Sequence, residues 1–213
     1  MKVLLINGSP RRNGNTDLAL TEIQKTLAEQ GIDSEIQWIG VKPIRSCIAC
    51  GQCKVRGMGH CVFADDICNA VIDKLNESDA LIVGSPTYYG TPNGAVLSLL
   101  HRMFYAGAQV ANKPAAAVIV CRRGGATAAF QTLQMPFQML NMPLVTSQYW
   151  NIVYGREEGE AVLDLEGMQT MRQLARNMAW LLKSIHTAGD TNAQTPLPLP
   201  EHEQWQGYHF IRP

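Results

Sequence analysis

The sequence predicts an α/β fold in which five parallel strands, ordered 2-1-3-4-5, form one open sheet with helices on both faces. Short and almost wholly apolar runs at residues 3–6, 80–83 and 115–120 read as strands buried on both faces, and further strands are expected at 34–39 and 144–149. Between the runs, apolar residues recur three and four apart. Strand and helix therefore alternate, and right-handed crossovers cover a parallel sheet on both sides. The loops after strands 1 and 3 are rich in glycine and hydroxyl residues, and a sheet of this order binds its ligand beyond those strand ends.

The first strand runs into Asn7-Gly8-Ser9-Pro10-Arg11-Arg12-Asn13-Gly14-Asn15-Thr16. The helical spacing of Leu20, Ile23 and Leu27 begins just past Thr16. Loop N–H groups and a helix N-terminus then converge on one point, a cradle for an anion. It is not a P-loop, because five residues separate Gly8 from Gly14 and Asn15 stands where a lysine is required. The dinucleotide fingerprint G-x-G-x-x-G is absent too. Ser9, Asn13, Asn15 and Thr16, with Arg11 or Arg12, suit a single terminal phosphomonoester such as that of FMN. The plainer reading is a turn whose Thr16 caps a helix.

The helix over 16–30 is closed by Gly31, and strand 34–39 alternates polar and apolar as an edge strand does. Residues 40–63 show no period, which marks a functional insertion after strand 2. Asp65 and Asp66 head a helix carrying Ile67, Val71 and Leu75. Strand 80–83 leads into Gly84-Ser85-Pro86-Thr87-Tyr88-Tyr89-Gly90, and the helix over 93–106 turns Val96, Leu97, Leu100, Met103 and Phe104 to the core. Strand 115–120 ends in Cys121-Arg122-Arg123-Gly124-Gly125. Thr87 to Gly90 offer aromatics and N–H groups to a flat ring, and Gly124 and Gly125 allow main chain to approach it. Packing under a turn is the alternative for Tyr88 and Tyr89.

Pro136 interrupts the helical pattern Phe130, Leu133, Phe137, Leu140 and should kink or split it. The last helix, 165–185, carries Met171, Leu174, Met178, Leu181 and Ile185. Beyond Ala188 the chain is polar and proline-rich, then ends in Trp205, Tyr208 and Phe210, an apolar tail expected to dock on its own or a neighbouring subunit. One domain over 1–187 with an extension over 188–213 is the expected organisation.

Lysine plus arginine and aspartate plus glutamate each number 18, so no net field attracts nucleic acid or an anionic membrane. No apolar run approaches the roughly 18 residues of a membrane span, and the N-terminal residues do not show a charged leader followed by an apolar stretch and cleavage site, so a cytoplasmic protein is expected. There, six cysteines point to metal or redox chemistry rather than a disulfide framework. Cys47, Cys50, Cys53 and Cys61 follow a C-x2-C-x2-C-x7-C spacing. A close triplet supplies three corners of an iron–sulfur cube and the distant cysteine the fourth. Redox-active or free thiols and a zinc site remain alternatives. His60 is expected to be an exposed loop residue. Cys68 and Cys121 read as core or pocket-wall residues, with a redox role for Cys121 left open by its place near the ring pocket.

The Gly-Ser-Pro-Arg-Arg-Asn-Gly-Asn-Thr loop, the Ser-Pro-Thr-Tyr-Tyr-Gly loop and the compact cysteine motif together resemble the iron-sulfur flavoproteins, within the NAD(P)H-dependent FMN reductase group of the flavodoxin-like superfamily. Gly124-Gly125 and Gly167-Met168-Gln169-Thr170 fit the same resemblance, which covers about residues 1–187. It implies a flavodoxin-like three-layer sandwich. It also implies that Ser9, Arg11, Asn13, Asn15 and Thr16 hold the FMN phosphate. Pro86, Thr87, Tyr88, Tyr89, Gly90, Arg122, Arg123, Gly124 and Gly125 would hold the isoalloxazine, and Cys47, Cys50, Cys53 and Cys61 a 4Fe-4S cluster. Members resembling this chain are homodimers or homotetramers with the flavin near a subunit interface. The C-terminal extension and the long last cysteine gap depart from the pattern.

The function so implied is that of an NAD(P)H-dependent flavin oxidoreductase. It would pass electrons from NAD(P)H or a ferredoxin-like partner through FMN and the cluster to an acceptor, with no protein nucleophile. A cluster-free FMN or quinone reductase and a non-enzymatic flavin electron shuttle are the alternatives.

Overall fold

The computed structural model describes residues 1–188; the expected apolar tail of Trp205, Tyr208 and Phe210 lies outside the described residues. In chain order the elements are β1 (Lys2–Asn7), α1 (Asn15–Glu29), β2 (Asp33–Trp38), the single-turn α2 (Gln52–Val55), α3 (Cys68–Asn76), β3 (Ala80–Tyr88), β4 (Thr91–Pro92), α4 (Gly94–Ala106), β5 (Ala115–Cys121), α5 (Ala126–Met139), β6 (Ile152–Tyr154), a 3-10 turn (Glu160–Leu163) and α6 (Leu165–Ala188). Met1–Leu182 form one compact unit, and a second begins at Lys183.

The sheet runs β2-β1-β3-β5-β6 with every pair parallel, and the two-residue β4 folds back antiparallel on the end of β3. Leaving β4 aside, this is the expected order 2-1-3-4-5. Strand side chains alternate between two cores, as the period of two demands. Val3, Leu5, Ile82 and Val118 pack with Leu20, Ile23 and Leu27 of α1 and Met171, Leu174 and Met178 of α6. Leu4, Ile6, Leu81, Val83 and Ile119 pack with Val71 and Leu75 of α3, Leu99 and Met103 of α4, and Leu133 and Phe137 of α5. Burial on both faces explains why β1, β3 and β5 read as unbroken apolar runs.

Two expectations are corrected. The last strand is Ile152–Tyr154 rather than 144–149. The chain touches β5 once through the Ala115–Leu144 bridge, leaves it, and rejoins where Ile119 N–H donates to Asn151 O (2.9 Å). Asn151 Nδ2 donates to Ala117 O (3.1 Å), and Ser147 Oγ donates to Tyr149 O (2.6 Å), so side chains there replace the ladder. Pro136 leaves α5 unbroken. It sits in the last turn, where it costs the helix one N–H bond without ending it, and its own carbonyl accepts from Leu140 N–H (3.1 Å). No helix among the described residues is long and apolar enough to cross a membrane.

Candidate functional site

The cradle is built by the end of β1. Gly8 N–H donates to Gly84 O of β3 at 2.8 Å, and a Cβ on Gly8 would lie 2.8 Å from that oxygen and 2.9 Å from Val96 Cβ. Only glycine fits there. The wholly buried Asn7 ties the loop together: its Oδ1 accepts from Ser9 N–H (3.0 Å), and its Nδ2 donates to Asp17 Oδ1 (2.9 Å) in the first turn of α1. From β2, Trp38 Nε1 donates to Ser9 O (2.7 Å), and Arg12 stacks over the Trp38 ring at 5.5 Å. That contact separates the two arginines, holding Arg12 on the outside while Arg11 lines the cleft. Asn93, the cap of α4, donates to Gly8 O (2.7 Å).

Helix α1 starts at Asn15 behind Gly14, and no side chain caps it. Thr16 is thus inside the first turn, not its cap. The N–H groups of Asn13, Asn15 and Thr16 have no acceptor among the described residues, which leaves the helix start open to an anion.

An open cleft begins at this cradle. Ser9, Arg11, Asn15, Thr16, Pro86, Thr87, Tyr88 and Arg122 line it, together with the expected wall residue Cys121 and with Val120, Gly155 and Arg156, which sequence reasoning did not assign to the site. Arg11 and Arg122 have no carboxylate partner among the described residues, whereas Arg156 pairs with Glu157 (2.9 Å). The buried hydroxyl of Thr87 has no hydrogen-bond partner among the described residues. Orphan N–H groups, free guanidiniums and an orphan hydroxyl along one cleft fit a ligand with a phosphate at one end and a polar ring at the other. Burial pushes the Cys121 thiol above its ordinary pKa, which keeps it protonated as a wall residue.

Asn13, Tyr89, Gly90, Arg123, Gly124 and Gly125 fall outside this lining. Tyr89 (φ +51°) and Gly90 (φ +81°) form the tight hairpin between β3 and β4, and the Tyr89 side chain is fully exposed. Gly125 (φ +82°) packs on Gly90, and a Cβ on it would lie 3.0 Å from Gly90 Cα. The Asn15 side chain faces the loop after β6: Nδ2 donates to Glu157 O (2.8 Å), and Oδ1 accepts from Ala161 N–H (3.1 Å). Gly155 leaves room for it, since a Cβ there would sit 2.7 Å from Asn15 Nδ2. The Glu160 carboxylate accepts from Arg156 and Glu157 N–H (2.7 and 2.9 Å), which holds its pKa below the ordinary carboxylate range and fixes the loop that presents Arg156.

The second feature lies under α4. Cys47, Cys50, Cys53 and Cys61 line one small pocket together with Phe63, Arg102 and Tyr105. Left-handed residues at Ala49 (φ +52°) and Gly51 (φ +69°) curl the chain so that the triplet shares one wall. Cys61 is clamped by Asn69 of α3, whose Oδ1 accepts from Cys61 N–H (2.8 Å) and whose Nδ2 donates to Cys61 O (2.9 Å). His60 turns away to Asp73 (2.6 Å). Among the described residues no three His, Cys, Asp or Glu side chains converge as a single-ion site. Cys68 is buried in the core, and desolvation pushes its thiol up to about 12.

A family model described as NADPH-dependent FMN reductase matches residues 1–157. An iron-sulfur flavoprotein of Methanocaldococcus jannaschii is 34% identical over 194 residues, covering 87% of this chain and 99% of that protein. Among solved structures, FerB from Paracoccus denitrificans, a flavoenzyme NAD(P)H:(acceptor) oxidoreductase, superimposes with a TM-score of 0.63 at 17% identity, over 86% of this chain and 97% of that one. A flavodoxin from the domain Archaea gives 0.58 at 16% identity, over 86% and 99%. The fold is thus flavodoxin-like.

Proposed function

The chain belongs to the NADPH-dependent FMN reductase family and is a flavin-dependent oxidoreductase, and from that premise we propose that it transfers electrons with FMN in the cleft and a 4Fe-4S cluster in the cysteine cavity. The observation that carries this reading is the convergence of four free thiols on one cavity in a chain that also builds an anion cradle at the β1 and β3 strand ends. When bound, FMN supplies hydride and one-electron chemistry and the cluster one-electron chemistry.

The chain's own residues bind and bias these groups. Arg11 and the open N–H groups of Asn13, Asn15 and Thr16 neutralise the phosphate. The Thr87 hydroxyl offers a donor inside the cleft, and Arg122 and Arg156 bring positive charge that favours an anionic reduced ring. Asn15, Gly155 and Glu160 hold the loop that carries Arg156. Cys47, Cys50, Cys53 and Cys61 are the cluster ligands. NAD(P)H or a ferredoxin-like protein is the donor, and the chain works as a homodimer or homotetramer in the cytoplasm.

Anaerobically purified protein tests the reading through its visible spectrum, with iron and acid-labile sulfide assays, before and after NADPH is added. Flavin bands, a broad cluster absorbance and about four irons per chain are expected, with the flavin bleached by NADPH. Flavin bands without iron or sulfide after reconstitution would replace it with a cluster-free FMN or quinone reductase.

A further inference from the structure

The α4 face that packs into the core carries Val96, Leu99, Leu100 and Met103, and in their midst Arg102, with only 1% of its side chain exposed. A cation in that position is costly unless it is paired and hydrogen-bonded. Here its partners converge on the irregular segment around the cysteines. Nη1 pairs with the buried carboxylate of Asp66 and donates to Arg45 O (3.2 Å), and Nη2 donates to Phe63 O (2.9 Å). Nε–H goes to Cys61 Sγ at 3.4 Å, so four of the five donors are engaged. Arg102 also lines the thiol cavity itself.

This geometry does two things at once. It fixes the segment from Arg45 to Asp66, which has one helical turn and no strand, to a rigid helix. It also aims a charge-assisted donor at the sulfur of a cluster ligand. Hydrogen bonds to cluster sulfurs set reduction potentials, because the reduced cluster carries one more negative charge and gains more from each donor.

We propose that Arg102 is a positioning residue of the cysteine cavity whose Nε–H to Cys61 Sγ bond raises the reduction potential of the iron–sulfur group held there. The inference rests on the cluster reading above. Asp66 keeps the local charge balanced, so the effect is that of the directed donor rather than of net charge.

The test uses the full chain, reconstituted anaerobically with iron and sulfide, in wild type, R102K and the charge-balanced double variant R102Q/D66N. The lysine variant keeps the ion pair with Asp66, and the double variant leaves no buried charge unpaired, so both guard against a mere folding defect. Iron, sulfide and FMN per chain are measured first, then the cluster and flavin potentials by spectroelectrochemical titration.

Both variants should hold iron and FMN as wild type does. The double variant should favour the reduced cluster about tenfold less, a fall of about 59 mV for a one-electron couple, with a smaller fall in R102K and no change at the flavin. Fully loaded variants with an unchanged cluster potential would overturn the inference and leave the cluster reading standing. Wild-type protein that takes up FMN but neither iron nor sulfide would overturn the cluster reading, and the inference with it.

Discussion

The anion cradle and the cysteine cavity lie in one chain but are held by opposite means. The cradle hangs on backbone: Gly8 bonds to Gly84 across the parallel sheet, and the helix start supplies the open N–H groups. The cavity hangs on side chains: Asn69 clamps Cys61, and Arg102 gathers Arg45, Phe63, Asp66 and Cys61. A site fixed by the sheet is formed before its ligand arrives. One fixed by side chains answers to substitutions among those side chains, and the two sites should therefore fail separately.

The largest effect is expected on the cavity side. D66A leaves Arg102 buried without its carboxylate and should cost about 3–5 kcal/mol in urea denaturation, while the folded fraction still binds FMN. On the cradle side, G8A forces a Cβ against Gly84 O and Val96, which should cost about 1–3 kcal/mol and abolish FMN retention on desalting. R11A touches no packing and should weaken FMN binding by about tenfold, one charge-assisted hydrogen bond, at unchanged melting temperature.

The smallest effect lies away from both sites, on the edge strand β2. Hydrogen bonds from Lys74 and then Lys2 hold the Glu35 carboxyl below its ordinary pKa. Its stabilisation is therefore present above the ordinary carboxylate pKa and lost as pH falls through the lowered one. Because the pair is partly exposed, E35Q should change stability at pH 7 by at most about 0.5 kcal/mol. It should also flatten the acid limb of the stability profile without altering FMN or iron content.

The same contrast explains what the sequence made legible. β1, β3 and β5 are buried on both faces, so composition alone marks them, and the loops they feed follow from topology. The last strand was misplaced because Val145, Tyr149 and Trp150 are strand-forming types, yet Tyr149 and Trp150 are exposed in an excursion held by Ser147 and Asn151. The cysteine spacing was readable as chemistry. Its support was not, because Arg102 sits within a regular helical pattern and meets Cys61 and Asp66 only through the fold. Gly125 packs so closely on Gly90 that a Cβ would lie 3.0 Å from Gly90 Cα, a contact no local spacing announces. Arg156 and Gly155 entered the cleft unannounced, carried there by the loop after the misplaced strand.

The claim of two independent sites is tested most directly by assaying FMN, iron and acid-labile sulfide on the same anaerobically reconstituted samples of wild type, R11A and C50S. The account predicts both groups in wild type, flavin-poor but iron-replete R11A, and iron-free C50S with its FMN intact. Joint loss of flavin and iron in either variant, or wild-type protein without iron and sulfide, would contradict it.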